Sequence, residues 1–341
     1  MAEAARFPFC TCSMLLSLAL LLLAPGGCAA QTGRATAGPI PAVSAPVAPI
    51  PAVARAPQPP APDLVAEVSA LRAAMHAAVP AAMQRGPSDA HDAATHTAIE
   101  AAKAMLRATG TAVPGPALML VIDRAPAVQS AWLVLASAGQ GPWPVIGAVK
   151  VSTGKPGRKE HFRTPVGVFT NGTDILGYRA QGTVNENGIR GNGLKGMRVW
   201  DFGWQTTDDW RKQGAVMPVR LELHATDPTF LESRLGRPDS EACIRVPAAF
   251  NRFIDRYGIL DRQLTPLAGS VRAIGALLPR DATPTRLAGD TVLVIDSSDP
   301  DARPSDPREA VAINQRFADW LAATAAPPEP QDVATRDAPG R

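Results

Sequence analysis

Cys243 and His224 are the two residues whose types and spacing best suit chemistry. The cysteine lies in the run Ser240-Glu241-Ala242-Cys243-Ile244-Arg245, nineteen positions after the histidine. A thiolate is a strong nucleophile near neutral pH, and an imidazole within reach can remove the thiol proton. The pair therefore predicts nucleophilic catalysis by Cys243 with His224 as the base. The alternative is that Cys243 is a small buried apolar residue without a chemical role.

The beginning of the chain is typical of an export signal. A short apolar core at 14–23 is followed by small residues up to Ala30, which favours cleavage there. Cleavage would remove the other three cysteines, which are Cys10, Cys12 and Cys28. A lone exported thiol is better explained by reactivity than by a disulfide, so we expect a periplasmic or cell-envelope protein. The alternative is a membrane anchor, through an uncleaved signal or a lipidated Cys28.

Charge and composition exclude several classes of partner. The net charge is +3 over 341 residues, and removal of 1–30 leaves it unchanged. Lys and Arg are scattered, so we expect no nucleic acid partner, and the slight basicity favours at most an anionic polymer such as a cell wall. His76, His91 and His96 lack the spacing of a paired ligand set and indicate solvent-facing positions, so no metal cofactor is expected.

Composition and periodicity divide the chain into six segments. The linker is rich in Pro and Ala, and the segment after it shows two amphipathic stretches that predict a helical pair. The predicted boundaries are a signal peptide at 1–30, a Pro/Ala-rich linker at 31–62, a helical extension at 63–112, a catalytic domain at 115–262, a small α/β C-terminal extension at 263–326 and a disordered tail at 327–341.

The segment 115–262 has the short β-rich runs of a mainly β domain. Pro and Gly turns separate the runs, and no helices intervene, which predicts a mainly antiparallel β-sandwich or barrel. The predicted strands are 118–122, 131–135, 145–151, 166–169 and 218–223. The long, polar, glycine-rich stretch from 170 to 213 predicts a lid or binding loop. Its Trp200 and Trp204 are candidates for substrate contacts or for core positions.

Further elements are predicted near and beyond the cysteine. A helix at 247–257 would follow Cys243 closely, and its N-terminal partial positive charge would favour the thiolate. A strand at 291–295 and an amphipathic helix at 308–325 belong to the C-terminal extension.

Around the two reactive residues the sequence resembles the L,D-transpeptidase catalytic domain family. That family has a His followed, at this distance, by Ser-His-Gly-Cys, an apolar residue and Arg or Asn, and here His224 precedes Ser240, Cys243, Ile244 and Arg245. The runs 151–155 and 164–169 are similar to the family's Ser-Thr-Gly-Lys and Thr-Pro-x-Gly-x-Phe strands. The resemblance covers about 117–260.

The resemblance implies a cysteine transpeptidase that acts on peptidoglycan stem tetrapeptides, in cell wall organisation and cell shape. Cys243 would form a thioester, release D-alanine, and pass the acyl group to an amine acceptor on a second stem or on a protein. The alternatives are an L,D-carboxypeptidase or endopeptidase that hydrolyses the same type of bond, and an inactive peptidoglycan-binding protein.

The resemblance also implies roles for neighbouring residues. His224 would be base and then acid, oriented by the backbone carbonyl of Ala225, and the backbone of Ala242 would contribute to an oxyanion hole. The implied substrate-binding residues are Arg245, Ser240 and Glu241, with Trp200 and Trp204.

The chain departs from the family at Glu241-Ala242, where His-Gly is usual. A glycine can supply a backbone angle that Ala242 would adopt only at a cost of about 1 kcal/mol. The carboxylate of Glu241 would oppose thiolate formation if it pointed inward. A further hypothesis is that Glu241 binds the incoming amine.

Overall fold

The computed structural model describes residues 63–86, 89–113, 115–139 and 141–325. The predicted signal peptide, linker and C-terminal tail lie outside these residues. Within them, no helix combines the length and the apolar character that crossing a membrane requires.

The described residues form helices and strands in a mainly β arrangement. The helices are α1 (Leu64–Ala78), α2 (Asp89–Ala108), α3 (Ala248–Arg256), α4 (Arg272–Leu277) and α5 (Pro307–Ala325). The strands are β1 (Ala117–Asp123), β2 (Ser130–Ala136), β3 (Val145–Lys150), β4 (Gly167–Thr170), β5 (Tyr178–Arg179), β6 (Arg198–Asp208), β7 (Val216–Ala225), β8 (Ile244–Val246) and β9 (Thr291–Ile295).

The first sheet has the order β3-β2-β1-β9-β4. β1 and β9 are parallel, whereas the other neighbours are antiparallel. β9 comes from the segment that the sequence assigned to a C-terminal extension, and it lies between two strands of the predicted catalytic domain. The continuous apolar run of β1 is explained by burial on both faces of the sheet.

The second sheet has the order β5-β6-β7-β8. β7 is antiparallel to β6 and parallel to β8. The prediction of a β-rich domain is therefore confirmed. The sheets are mixed rather than purely antiparallel, and the described strands do not close into a barrel, so the barrel alternative is wrong.

The main hydrophobic core lies between the two sheets. One cluster of buried side chains includes Leu120 of β1, Leu133 of β2, Leu223 of β7 and Ile244 of β8, together with Leu71 of α1. On the other face of the first sheet, a second cluster joins β1, β2 and β9 to α2. Successive residues of β1 therefore face one cluster and then the other along the strand.

The predicted elements differ most from the structure between 170 and 213. The predicted long loop contains β6, an eleven-residue strand, so the loop prediction is wrong there. A bulge between Asp201 and Trp204 interrupts the pairing with β7, and Gly203 adopts a left-handed φ of 73° within it. This irregularity hides the alternation that identifies a strand. The helical pair, the helix after the cysteine and the last helix are all present.

Candidate active site

The two faces of β7 carry different kinds of side chain. Leu221 and Leu223 point into the main core. Arg220, Glu222 and His224 alternate with them and therefore lie on the opposite face of the sheet. The accessible surface of Glu222 is 4% and that of His224 is 2%, so these two polar side chains are buried as well.

The parallel pairing of β7 and β8 puts Cys243 on the same face as His224. Leu223 pairs with Ile244, and His224 pairs with Arg245. Residues paired in register share a face, so Arg245 lies beside His224, and Cys243, two positions earlier, lies on that face too. The half-buried thiol is 3.9 Å from the carbonyl oxygen of Arg220, which also places it over β7.

His224 is held by a hydrogen bond to the chain beside it. Its Nδ1 lies 2.8 Å from the carbonyl oxygen of Ala225. A carbonyl can only accept, so Nδ1 carries the proton and Nε2 of the neutral ring keeps a lone pair that can take a proton. Burial, and then the positive charge of Arg245, lower the pKa of His224 to about 4, although the bond to Ala225 acts in the opposite direction. The ring is thus neutral at pH 7.

The residues 240–243, which we call the cysteine loop, are fixed by buried hydrogen bonds. The Ser240 hydroxyl donates to the carbonyl of Cys243 at 2.6 Å. The Thr164 hydroxyl donates to the carbonyl of Ala242 at 2.6 Å and accepts from the N–H of Gly154 at 2.9 Å. Both hydroxyl residues are fully buried. The loop is therefore pre-organised around the peptide that precedes the cysteine.

Gly154, in the predicted Ser-Thr-Gly-Lys strand, is required by the close approach of other chain segments. A Cβ at this position would lie 1.9 Å from the carbonyl oxygen of Phe162. On the other side, Gly154 bridges Ser240, and the N–H of Lys155 donates to the Ser240 carbonyl at 2.9 Å. Only glycine fits between the two segments.

Ala242 does not carry the strain expected from the sequence. Of the described non-glycine residues, those with positive φ are Gln129 and Glu160, so Ala242 has an ordinary backbone conformation. Its methyl group packs against Phe162, Met217 and Val219. The expected cost of about 1 kcal/mol is therefore not incurred at this position.

The predicted effect of a helix N-terminus on the thiol stays a prediction. Cys243 leads into β8, and α3 begins only at Ala248. The N–H of Ala248 donates to Glu232 at 2.7 Å, so the end of the helix is satisfied by that carboxylate. The dipole effect falls off within the first turn, and residues 244–247 separate Cys243 from that turn along the chain.

Glu222 is a buried carboxylate that is not among the site residues predicted from the sequence. Its Oε1 accepts from the Tyr178 hydroxyl at 3.1 Å, and Asp201 of β6 lies directly opposite in the sheet. Burial, and then the charge of Asp201, raise the pKa of Glu222 to about 7, although Arg220 and Tyr178 act in the opposite direction. The negative charge of Asp201 is itself compensated by Arg220, whose Nη2 lies 2.5 Å from Oδ2. The signal that could have found Glu222 is its position on an alternating strand, two residues before His224.

The implied substrate-binding residues take different positions. Arg245 is half-buried beside His224, and one of its nitrogens donates to the Asp239 carbonyl at 3.1 Å. Glu241 is half-buried, and its carbonyl accepts from Phe162 at 2.6 Å. The hydroxyl of Ser240 is already engaged within the cysteine loop. Of these three, Arg245 is thus the residue beside the base.

The two tryptophans do not share one environment. Trp200 is fully buried in the main core, on the face of the second sheet that points away from His224. Trp204 packs edge-on against Phe317 of α5 and near the guanidinium of Arg220. Neither position gives support to the predicted substrate contact. Another aromatic residue, Trp210, donates to the His161 carbonyl at 2.7 Å, and His161 contacts the Ser240 carbonyl, so this pair borders the cysteine loop.

Comparisons with known proteins add little to this geometry. No protein-family model matches the chain, and no curated protein matches it. A solved structure of Bdellovibrio bacteriovorus Bd1075 is similar to 62% of the chain at 12% identity, with a TM-score of 0.25. The chain spans 58% of that protein, and a likeness of this size carries no argument about function.

Proposed function

We propose that this protein is a cysteine acyltransferase of the L,D-transpeptidase type, which acts on peptidoglycan stem tetrapeptides. The observation that carries the proposal is the arrangement of one strand pair: His224, with its Nδ1–H held by Ala225, shares a sheet face with Cys243. The sequence motif around both residues supports the same conclusion. We also propose that the β-rich domain is of the L,D-transpeptidase type.

The chemistry begins with proton transfer from the thiol to His224. Nε2 of the neutral ring takes the proton, and the sulfur attacks the carbonyl carbon before the terminal D-alanine. Backbone N–H groups of the cysteine loop stabilise the oxyanion, which is worth about 3 kcal/mol per donor. The C–N bond breaks, and His224 returns the proton to the leaving amine. An amine acceptor, or water, then resolves the thioester and restores the thiol.

Arg245 contributes to the site by charge. Its guanidinium lies beside His224 and favours the neutral form of the ring, which is the form that acts as a base. Its planar shape also suits a substrate carboxylate. We propose that the protein works in the periplasm or cell envelope, where its substrate is found, with an exported chain and the export signal at 1–30.

The purified protein and its Cys243→Ala variant, given disaccharide tetrapeptides that bear a diamino acid, would test the proposal by mass spectrometry. We expect loss of D-alanine, a thioester on Cys243, and cross-linked dimers, all absent from the variant. Tripeptides without dimers would favour hydrolysis by the same site. A protein that forms neither thioester nor product would overturn the proposed function.

A further inference from the structure

A like-charged pair lies beside the candidate nucleophile. Asp201 and Glu222 are direct cross-strand neighbours, an arrangement that costs stability when both carboxylates are ionised. Asp201 has its compensation: Arg220 donates to its Oδ2 at 3.1 and 2.5 Å, and the N–H of Gly203 donates to its Oδ1 at 2.8 Å. Arg220 therefore makes its hydrogen bonds to Asp201, and its charge compensates that of Glu222 only from a distance.

Glu222 retains one carboxylate oxygen that the fold does not use. Oε1 accepts from Tyr178, but Oε2 is buried and meets no donor in the described part of the chain. A buried carboxylate oxygen without a partner costs about 1 to 3 kcal/mol, and more when it is charged. An unsatisfied buried group in a native protein calls for an explanation, and a catalytic role is one of them.

Glu222 lies on the sheet face that also carries His224 and Cys243, the residue that would form the thioester. Glu222 is two residues from His224 on the same face of β7. Continuing the β7–β8 register by one pair puts Glu222 opposite Cys243. The carboxylate thus belongs to the same small area of the sheet as the nucleophile and the base.

We propose that Glu222 binds the ammonium group of the amine acceptor that resolves the Cys243 thioester. This inference rests on the proposed function. An ammonium group supplies both the charge and the donor that Oε2 lacks. The ligand class is an α-amino acid group, because Nε of Arg245, on the same face, is also buried and meets no acceptor within the described residues, so it suits the acceptor's carboxylate.

The chemical step follows from this placement. The ammonium gives one proton to Glu222, whose raised pKa of about 7 makes that transfer less uphill than it is for an ordinary carboxylate. The freed nitrogen lone pair attacks the thioester carbon, and the C–S bond breaks. His224 takes the second N–H proton and passes it to the departing thiolate. Glu222 then releases its own proton to water.

The chain between β5 and β6 contacts Tyr178, the hydrogen-bond partner of Glu222. Asn192 donates to the Tyr178 hydroxyl at 2.9 Å, and the N–H of Arg190 donates to Asp227 at 2.9 Å, just beyond the end of β7.

The test is the ratio of transfer to hydrolysis, with glycine as the acceptor probe. Thioester formation on Cys243 is followed separately by intact mass. We expect Glu222→Gln to lower the ratio by about tenfold or more, since a hydrogen bond to a charged group is lost. Gln is close in shape to Glu and removes the repulsion with Asp201. The matched control is Glu186→Gln, an exposed position, which should keep the wild-type ratio.

Three outcomes would count against the proposal. An unchanged ratio in Glu222→Gln would overturn it. A ratio lowered by Glu241→Gln but not by Glu222→Gln would assign the amine to Glu241 instead. A wild-type protein that forms no thioester with the tetrapeptide would overturn the proposed function, and the inference with it. Thermal unfolding of each variant shows whether the fold is kept.

Discussion

The Thr164 hydroxyl donates a 2.6 Å hydrogen bond to the carbonyl of Ala242, 78 positions later in the chain. The carbonyl of Thr164 in turn accepts from Arg124 at 2.5 Å, and Arg124 pairs with Asp296 at 2.8 Å. In a planar trans peptide the C=O and the next N–H point in opposite directions. Thr164 therefore sets the direction of the Cys243 N–H, which is a proposed oxyanion donor.

Replacing Thr164 by Val should reduce turnover without removing the thiol. The valine has a similar shape but no hydroxyl, so the Ala242 carbonyl and the Gly154 N–H lose their partner. We expect kcat to fall by about 10- to 100-fold with a smaller change in KM, because positioning rather than binding is lost. Thr164→Ser should restore most of kcat, and the exposed Thr173→Val is the control. Equal kcat values for the Val and Ser variants would contradict this role.

The acidic limb of the pH–rate profile should lie near pH 4. His224 acts as a base only when neutral, and burial lowers its pKa to about 4. The kcat/KM for donor consumption, measured from pH 3.5 to 8, should therefore stay nearly constant from pH 7 down to about pH 5 and fall below that. A limb near 6.5, the ordinary value for histidine, would show that the ring is solvated in the working enzyme.

The two shifted groups of β7 should have opposite effects on stability. His224 has a folded pKa of about 4, below its unfolded value, so its contribution is lost as the pH falls from about 6.5 to 4. Glu222 has a folded pKa of about 7, above its unfolded value, so its contribution is lost as the pH rises from about 4.5 to 7. Each effect is of the order of 3 kcal/mol, and in the wild type they largely cancel.

Single variants should separate these two effects in urea unfolding at pH 4.5, 5.5 and 6.5. In Glu222→Gln only the histidine effect remains, so the free energy of unfolding should rise with pH more steeply than in the wild type. In His224→Gln only the carboxylate effect remains, and the free energy should fall with pH relative to the wild type. Parallel curves for all three proteins would contradict the shifts.

Breaking the buried pair of Arg124 and Asp296 should destabilise the protein strongly. Their side chains are 4% and 3% exposed, and removing one charge leaves the other without compensation in the interior. We expect Asp296→Asn to lower the free energy of unfolding by about 3 to 5 kcal/mol. Asp301→Asn, at an exposed position nearby, serves as the control. A loss no larger than that of the control would mean that the pair contributes little.

The sequence was most informative where local pattern decides the structure. The alternation of Leu221 and Leu223 identified the strand that aims His224, and the apolar run of β1 was recognised by its composition. β8 is three residues long, too short to show a pattern, so no strand was predicted between Cys243 and the helix at 247–257. The sequence places Glu222 on the face of His224, but it could not predict the burial of this carboxylate, which depends on Tyr178 and on chain segments that are distant in sequence.

The first sheet can be completed only by β9, a strand that comes late in the sequence. β9 fills the gap between β1 and β4, and the Arg124–Asp296 contact beside it joins residues 172 positions apart. Until residues 291–295 are available, both neighbouring strands present an open edge, and such edges pair readily with other chains. Pairing over this distance in sequence is also slow. The first sheet of a nascent chain therefore stays incomplete until residues 291–295 have been synthesised. For an exported chain, as we propose this one to be, that delay would favour an unfolded polypeptide during transport across a membrane.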